Sequence, residues 1–319
     1  MKLRDVLADL ASEAAIEPTD FVCRPIPNSA MLLGRDGRNN LILLSEKSEP
    51  RVDLHAGSFH YSSVISVRWF DKISHESQMS LLRTSSCGPQ EEEAFLRIVE
   101  SILLTSQANR EHEICRELVQ AWFSLLISKN EVSHESIIGL FGELLVILNS
   151  VDSELAISRW QWRNSELLDF AWMDLALEVK TSSTGQRHHQ TSLFQNRAAM
   201  GKSTVLASLL VDESFEGDNI FDIQLKIQSR LPKDSPMRLE LAAAIIRRVG
   251  ISDLVFETRI DLDSANRSLN LVRWKDLPDP IFPSAILEAD WTFNVPVEKA
   301  RSLGGRTIDD VFLRKLFAI

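Results

Sequence analysis

With 319 residues, 44% of them hydrophobic and 25% charged, the chain has the material for a sizeable core in one or two domains. Its formal charge of −10 excludes a molecule coated in positive potential, such as a non-specific DNA packager. Three scattered cysteines without a CxxC pair exclude a disulfide framework and a cysteine zinc site, and a reducing cytoplasm is the expected compartment.

The chain opens on MKLRDVLADLASEAA, where charged and apolar residues alternate as in an amphipathic helix and the apolar stretch of a secretory signal is missing. No run approaches the roughly 18 apolar residues that span a membrane, so no membrane association is expected. Between 20 and 70, FVCRPI, AMLLG, NLILLS, RVDLHAG and SVISVRWF read as short strands parted by turn signals such as GRDGRNN. They predict a β-rich amino-terminal domain over 1–88. The pattern then changes, because EEEAFLRIVESILLTS, ICRELVQAWFSLLIS and HESIIGLFGELLVILNS place apolar residues three and four apart, the spacing of three successive helices. NRAAMG reads as helix, TVLASLLV as a buried strand, and two helices follow near 218–230 and 235–249. DLVFETRIDLD and RSLNLVRW have strand character. The order helix, hairpin, helix, strand between 135 and 211 predicts a mixed α/β core in a second domain over 89–319.

The stretch LLDFAWMDLALEVKTSS is apolar enough for a buried strand yet carries Asp169, Glu178 and Lys180. A two-residue turn at Met173 and Asp174 folds it into an antiparallel hairpin that pairs Trp172 with Leu175, Ala171 with Ala176, Phe170 with Leu177 and Asp169 with Glu178. Alternation then predicts an apolar face of Leu168, Phe170, Trp172, Leu175, Leu177 and Val179. The opposite face carries Asp169, Glu178 and Lys180, with Ala171 and Ala176 leaving room beside them. Two carboxylates placed opposite each other repel, and one must take up a proton unless a cation lies between them. A hard divalent cation such as Mg²⁺ relieves this, since it accepts one or two carboxylates. The plainer account places Asp169 at a strand edge and Glu178 with Lys180 on a solvated strand face.

Charge is unevenly spread. From Val179 through Val211 there is no Asp or Glu, while Lys180, Arg187, His188, His189, Arg197 and Lys202 fall in that window. His188 and His189 beside Arg187 suit phosphate contacts or caps of the following helix. They have no further His or Cys at zinc-ligand spacing. A second basic run, Lys226, Arg230, Lys233, Arg238, Arg247 and Arg248, is equally the solvated face of a helix. Gly201, Lys202 and Ser203 imitate the end of a phosphate-binding loop, but its first glycine would fall at Asn196, so nucleotide hydrolysis is not expected.

Asp169, the E-x-K of Glu178 and Lys180, and Glu143 in GLFGELLVI on the preceding helix resemble the PD-(D/E)XK superfamily of restriction-type nucleases. GLFGEL, RWQWRN, LDF, EVKTSS and HHQTSLFQ, with RPIPNSAMLLGRDGRNNLILL near the amino terminus, resemble more narrowly a bacterial PD-(D/E)XK motif family of restriction and phage-defence neighbourhoods. Leu168 stands where that superfamily usually has proline before the first Asp. The resemblance implies a restriction-endonuclease-like α/β core, a mixed sheet flanked by helices, behind the β-rich domain. It implies that Asp169 and Glu178 bind Mg²⁺, with Mn²⁺ able to substitute, and that Lys180 orients or activates the attacking water. Glu143 is then a further ligand or a carboxylate standing behind the ligands, and Gln195 positions the lysine or the substrate. The tyrosine that some subgroups place four residues after that glutamine is Ala199 here, which speaks against a terminus-dependent exonuclease. The expectation is a Mg²⁺-dependent DNA endonuclease of restriction or phage defence, with Arg187, His188, His189, Arg197 and Lys202 contacting DNA and a protein partner supplying recognition or translocation. Two alternatives stay open: a non-catalytic DNA-binding or assembly subunit with a nuclease-like fold, and an RNA nuclease.

Overall fold

The computed structural model describes residues 3–10, 21–56, 59–70, 73–84, 132–162, 167–232, 235–250, 253–277 and 292–297, with isolated helical positions between 92 and 119. The chain forms two compact units, Met1–Glu131 with Arg238–Asp253, and Val132–Met237 with Leu254–Ile319. The two helices read from the sequence at 91–106 and 114–128 lie largely outside the described residues. Among the described residues no helix is long and apolar enough to cross a membrane.

The first unit opens with helix α1 (Leu3–Leu10), which buries Leu3, Val6, Leu7 and Leu10 at the spacing of one helical face. Six strands follow: β1 (Phe21–Pro25), β2 (Leu32–Asp36), β3 (Leu41–Glu46), β4 (Asp53–Ala56), β5 (Phe59–Phe70) and β6 (Ser74–Thr84). Their order is β1-β2-β3-β6-β5-β4, and β1 also pairs with β5, which closes five of them into a barrel with β4 attached at the side. Phe21, Cys23, Ile42, Leu44, Val67 and Leu81 meet inside it. The GRDGRNN turn is held by Asp36, whose carboxylate accepts the backbone N–H groups of Arg38 and Asn40, both at 2.9 Å. A register shift between Ser62 and Ile65 lets one long strand bend, as a bulge does. β6 was not foreseen, because the outer residues of SHESQMSLLRT are polar and only Ser80, Leu81, Leu82 and Thr84 are buried.

The second unit is built on helix α2 (His134–Asn149), capped by the Ser133 hydroxyl accepting the Ser136 N–H, and on the short helix α3 (Ser153–Arg159). The hairpin follows as β7 (Phe170–Trp172) and β8 (Leu175–Ser182), with Phe170 opposite Leu177, Ala171 opposite Ala176 and Trp172 opposite Leu175, the register read from the sequence. Met173 takes φ of 55° in its two-residue turn. The chain then makes β9 (His188–Ser192), helix α4 (Leu193–Met200) and β10 (Ser203–Leu210), which runs parallel to β8 with Leu206 beside Glu178 and Ser208 beside Lys180. β11 (Glu213–Asp218) and helix α5 (Ile220–Arg230) lead on, and β12 (Asn270–Arg273) completes a mixed sheet of order β12-β10-β8-β7. β13 (Thr292–Pro296) pairs with β9 in a separate two-stranded sheet. α2 packs on β8 and α5.

Two local expectations are corrected. DLVFETRIDLD is not strand: Asp253–Glu257 and Leu262–Ser268 are short helices with only an isolated bridge at Ile260 between them, the second capped by Asp261. Leu168 does not share a face with Phe170. Residues 167–169 bend before β7 begins, which breaks the alternation and turns Leu168 into the cluster of Ala176, Ala199, Leu206, Val272 and Trp274. That cluster fills the space the two alanines were expected to leave open.

Candidate active site

Four elements converge on one pocket. β8, a central strand with neighbours on both sides, buries Ala176, Leu177, Glu178 and Val179 in succession, so Glu178 enters the interior as part of a strand covered on both faces. Its side chain is 1% exposed. Asp169 precedes β7 at the position opposite Glu178, and its Oδ2 accepts the Val179 N–H at 2.7 Å. No strand intervenes between the two acids. α2 supplies Glu143, which is buried, and the Trp160 indole N–H donates to its Oε2 at 2.6 Å. Trp160 itself bridges Phe170, so the partner of Glu143 is fixed to the edge of the hairpin.

α4 contributes Gln195. The Ser192 hydroxyl accepts the Gln195 N–H while Gln195 Oε1 accepts the Ser192 N–H, a capping box that fixes the glutamine side chain at the helix start. The same side chain reaches into the pocket: Nε2 donates to Glu178 Oε1 at 3.1 Å and Oε1 accepts from Lys180 Nζ at 3.4 Å. Lys180 Nζ also lies 2.9 Å from Glu178 Oε1. One carboxylate oxygen of Glu178 is thus held by an ammonium and an amide. The other, Oε2, is buried with no hydrogen-bond partner. A carboxylate oxygen left this way in a protein interior is costly, and a cation would relieve it.

Electrostatics agree with that position. Burial, followed by the charges of Glu178 and Glu143, pushes the Asp169 carboxyl well above the usual carboxylate range, against the Val179 N–H and Lys180. Burial also raises Glu178, with Lys180 opposing and Glu143 adding to the rise. The residues therefore fit a divalent cation between Asp169 and Glu178. Glu143, held by the Trp160 indole, adds its charge to the rise of both acids.

Among the remaining expected site residues, Arg187, His189 and Lys202 bond their own neighbours. Arg187 turns inward and braces three segments, donating to the Ser208 carbonyl at 2.7 Å, to the Ser208 hydroxyl at 2.9 Å and to the Ser268 carbonyl. His189 is buried, with Nε2 2.7 Å from the Ser208 hydroxyl. His188 opens β9 rather than capping the helix, which Ser192 does. Arg197 is exposed on α4, and Lys202 ties its Nζ to the Met173 carbonyl at 2.7 Å. Of the second basic run, Lys226 pairs with Asp218 at 2.6 Å and Arg230 donates to the Leu148 carbonyl. Trp160 is the participant the sequence did not assign to the pocket; its place two residues from Trp162 in RWQWRN gave no sign that its N–H had a carboxylate to serve.

A family model described as "Putative PD-(D/E)XK family member, (DUF4420)" matches residues 20–279. No curated protein and no solved structure matches the chain.

Proposed function

The chain belongs to DUF4420, and from that premise we propose that it is a divalent-metal-dependent phosphodiesterase that cuts DNA internally, with a restriction-endonuclease-like core in its second unit and a setting in restriction or phage defence. The buried, unpartnered Oε2 of Glu178 beside Asp169 is the observation that carries the reading. Asp169 and Glu178 would hold Mg²⁺ or Mn²⁺. When bound, the cation supplies Lewis acidity toward phosphoryl oxygens and neutralises two carboxylates that otherwise repel.

The chain's own residues do the rest. Lys180 has three N–H donors; Glu178 and Gln195 take two. Its side chain keeps 20% of its surface, and the third donor is the one we assign to the attacking water. Gln195 fixes the ammonium and the carboxylate relative to each other, holding them in place before substrate arrives. Glu143, through its charge, keeps the pocket electronegative enough to need the cation. Arg197 and Lys202, with His188, supply phosphate contacts from the acid-free stretch, while Arg187 and His189 hold β9 against β10. Weak duplex binding by this sparse surface implies a protein partner that delivers the DNA.

Purified full-length chain incubated with linear and circular duplex DNA, with and without Mg²⁺ or Mn²⁺, tests the reading. Metal-dependent cutting of the circle, abolished by Glu178→Gln, is the expected result. Cleavage of single-stranded RNA alone would transfer the activity to RNA. Cleavage of neither nucleic acid under any metal, also with cell lysate as a source of partners, would favour the assembly-subunit alternative.

A further inference from the structure

We propose that Asp53, His55 and His60, on strands β4 and β5 of the barrel, form a binding site for a late first-row divalent metal of the Zn²⁺ class. The register puts His55 directly opposite His60 on antiparallel strands. Asp53, two residues before His55, projects on the same face because strand side chains alternate. The result is convergence: Asp53 Oδ1 lies 2.8 Å from His60 Nε2 and 3.2 Å from His55 Nε2, and one ligand atom from each residue falls within 4.8 Å of the others. The two imidazoles stack at 4.0 Å between centroids with 7° between planes, each Nε2 reaching the same oxygen, and the exposed His55 ring turns to aim its in-plane lone pair at an ion held by His60 and Asp53.

This is an uneconomical arrangement for hydrogen bonding alone, since two donors share one oxygen. A metal ion replaces both Nε2 protons, takes two nitrogens and one oxygen, and keeps its fourth tetrahedral position for water. Imidazole ligands select zinc and its neighbours over Mg²⁺ and Ca²⁺, which take oxygen ligands. Access is open, because the side chains of His55 and Asp53 are 71% and 53% exposed, while His60 at 17% is the anchored ligand. The nearest opposing charge is Arg83, across from His60 on β6, and Asp36 draws it off at 4.0 Å. His60 Nδ1 is buried without a hydrogen-bond partner, so the site lacks the outer partner that usually orients a ligating histidine, and its affinity is set about 10–100-fold below that of a site that has one.

Spacing along the sequence did not announce this site, because its ligands sit on two strands and only the register brings 55 and 60 together. β4 pairs with β5 and with no other described strand. A metal across the pair pins that edge strand to the barrel and shields it from pairing elsewhere.

The test uses the full-length chain, stripped with chelator, dialysed against Zn²⁺ and assayed for bound metal, with Co²⁺ absorption reporting the coordination. Wild type and Glu178→Gln are expected to carry one ion per chain at this site and to melt higher with Zn²⁺. His55→Ala and Asp53→Asn, both at exposed positions, are expected to melt like wild type in chelator and to lose the ion, the thermal shift and the Co²⁺ band. Equal zinc content in wild type, His55→Ala and Asp53→Asn would overturn the assignment, as would absence of zinc from the wild-type chain at micromolar free metal.

Discussion

The Trp160 indole nitrogen lies 2.6 Å from Glu143 Oε2, inside the unit that holds the acidic pocket. Trp160→Phe keeps an aromatic ring but removes the N–H that donates to a buried carboxylate oxygen. The expected cost is about 1–3 kcal/mol of stability, read from denaturant melts, with slower DNA cleavage because Glu143 no longer has a fixed place near Asp169 and Glu178. Wild-type stability in this variant would mean that the hydrogen bond is not made.

Asp169→Asn gives a pH-dependent signature. Both acids are raised in the folded chain, so between the ordinary carboxylate range, about pH 4, and their raised values the folded state binds more protons than the unfolded one. Stability from this pocket is therefore fully present below about pH 4 and is lost as pH rises through the raised values. Metal-free Asp169→Asn, which keeps an oxygen for the Val179 N–H, should melt above wild type at pH 7–8, and the gap should close as pH falls. Mg²⁺ should raise the melting temperature of wild type more than that of the variant. Scanning calorimetry across pH reads both effects, and a gap that does not change with pH contradicts the raised values.

Lys180→Met should abolish cleavage and leave metal binding in place, because in the proposed function the lysine orients water while the carboxylates hold the ion. Isothermal titration with Mg²⁺ or Mn²⁺ separates the two functions. Metal affinity that collapses with Lys180 would give the lysine a different role.

Two glycines of α2 should answer the same substitution with opposite signs. A Cβ at Gly139 meets nothing within 4 Å, so Gly139→Ala should stabilise by about 0.5–1 kcal/mol. A Cβ at Gly142 would fall 1.9 Å from Thr181 Oγ1 and 3.2 Å from Val179 Cγ1, pushing α2 off β8. Gly142→Ala should cost about 1–3 kcal/mol and also lower cleavage, because the neighbouring residue is Glu143. Similar melting temperatures for the two variants would show that α2 and β8 are less closely packed than the geometry states.

Duplex DNA binding, measured with Ca²⁺ in place of Mg²⁺, should depend only shallowly on salt. With Arg187 turned inward, the acid-free stretch offers few cations. At about −0.9 in the log–log slope per phosphate, a slope no steeper than about −3 is expected. A slope twice as steep would reveal a basic surface elsewhere in the chain.

The hairpin was legible because its apolar residues alternate and Met173-Asp174 is the interval that leaves them paired. α2 was legible because its apolar residues recur at helical spacing. β6 hid behind polar outer residues, and Asp253–Glu257 hid behind Leu254, Val255 and Phe256, residues that suit a strand as well as a short turn of helix. The acids of the pocket could be named from sequence, but not how they are held. Glu178 was expected on an open face and is buried, since β8 is flanked by β7 and β10, α2 packs on it, and the cluster of Leu168 and Ala199 closes over Ala176. That the helix Met237–Val249 groups with the first unit from Arg238 onward is a long-range association that local periodicity does not encode.

The barrel is closed by a parallel seam of two residue pairs, Phe21 with Trp69 and Val22 with Phe70. A seam so short, joining the first strand to the end of a much later one, can form only after the intervening hairpins are in place, and so comes late in assembly. Until then β1 and the far end of β5 each present an unpaired edge to other chains in solution. Aggregation during synthesis, rather than loss of chemistry, is therefore the first defect to expect when the residues of β1 are truncated or replaced by proline.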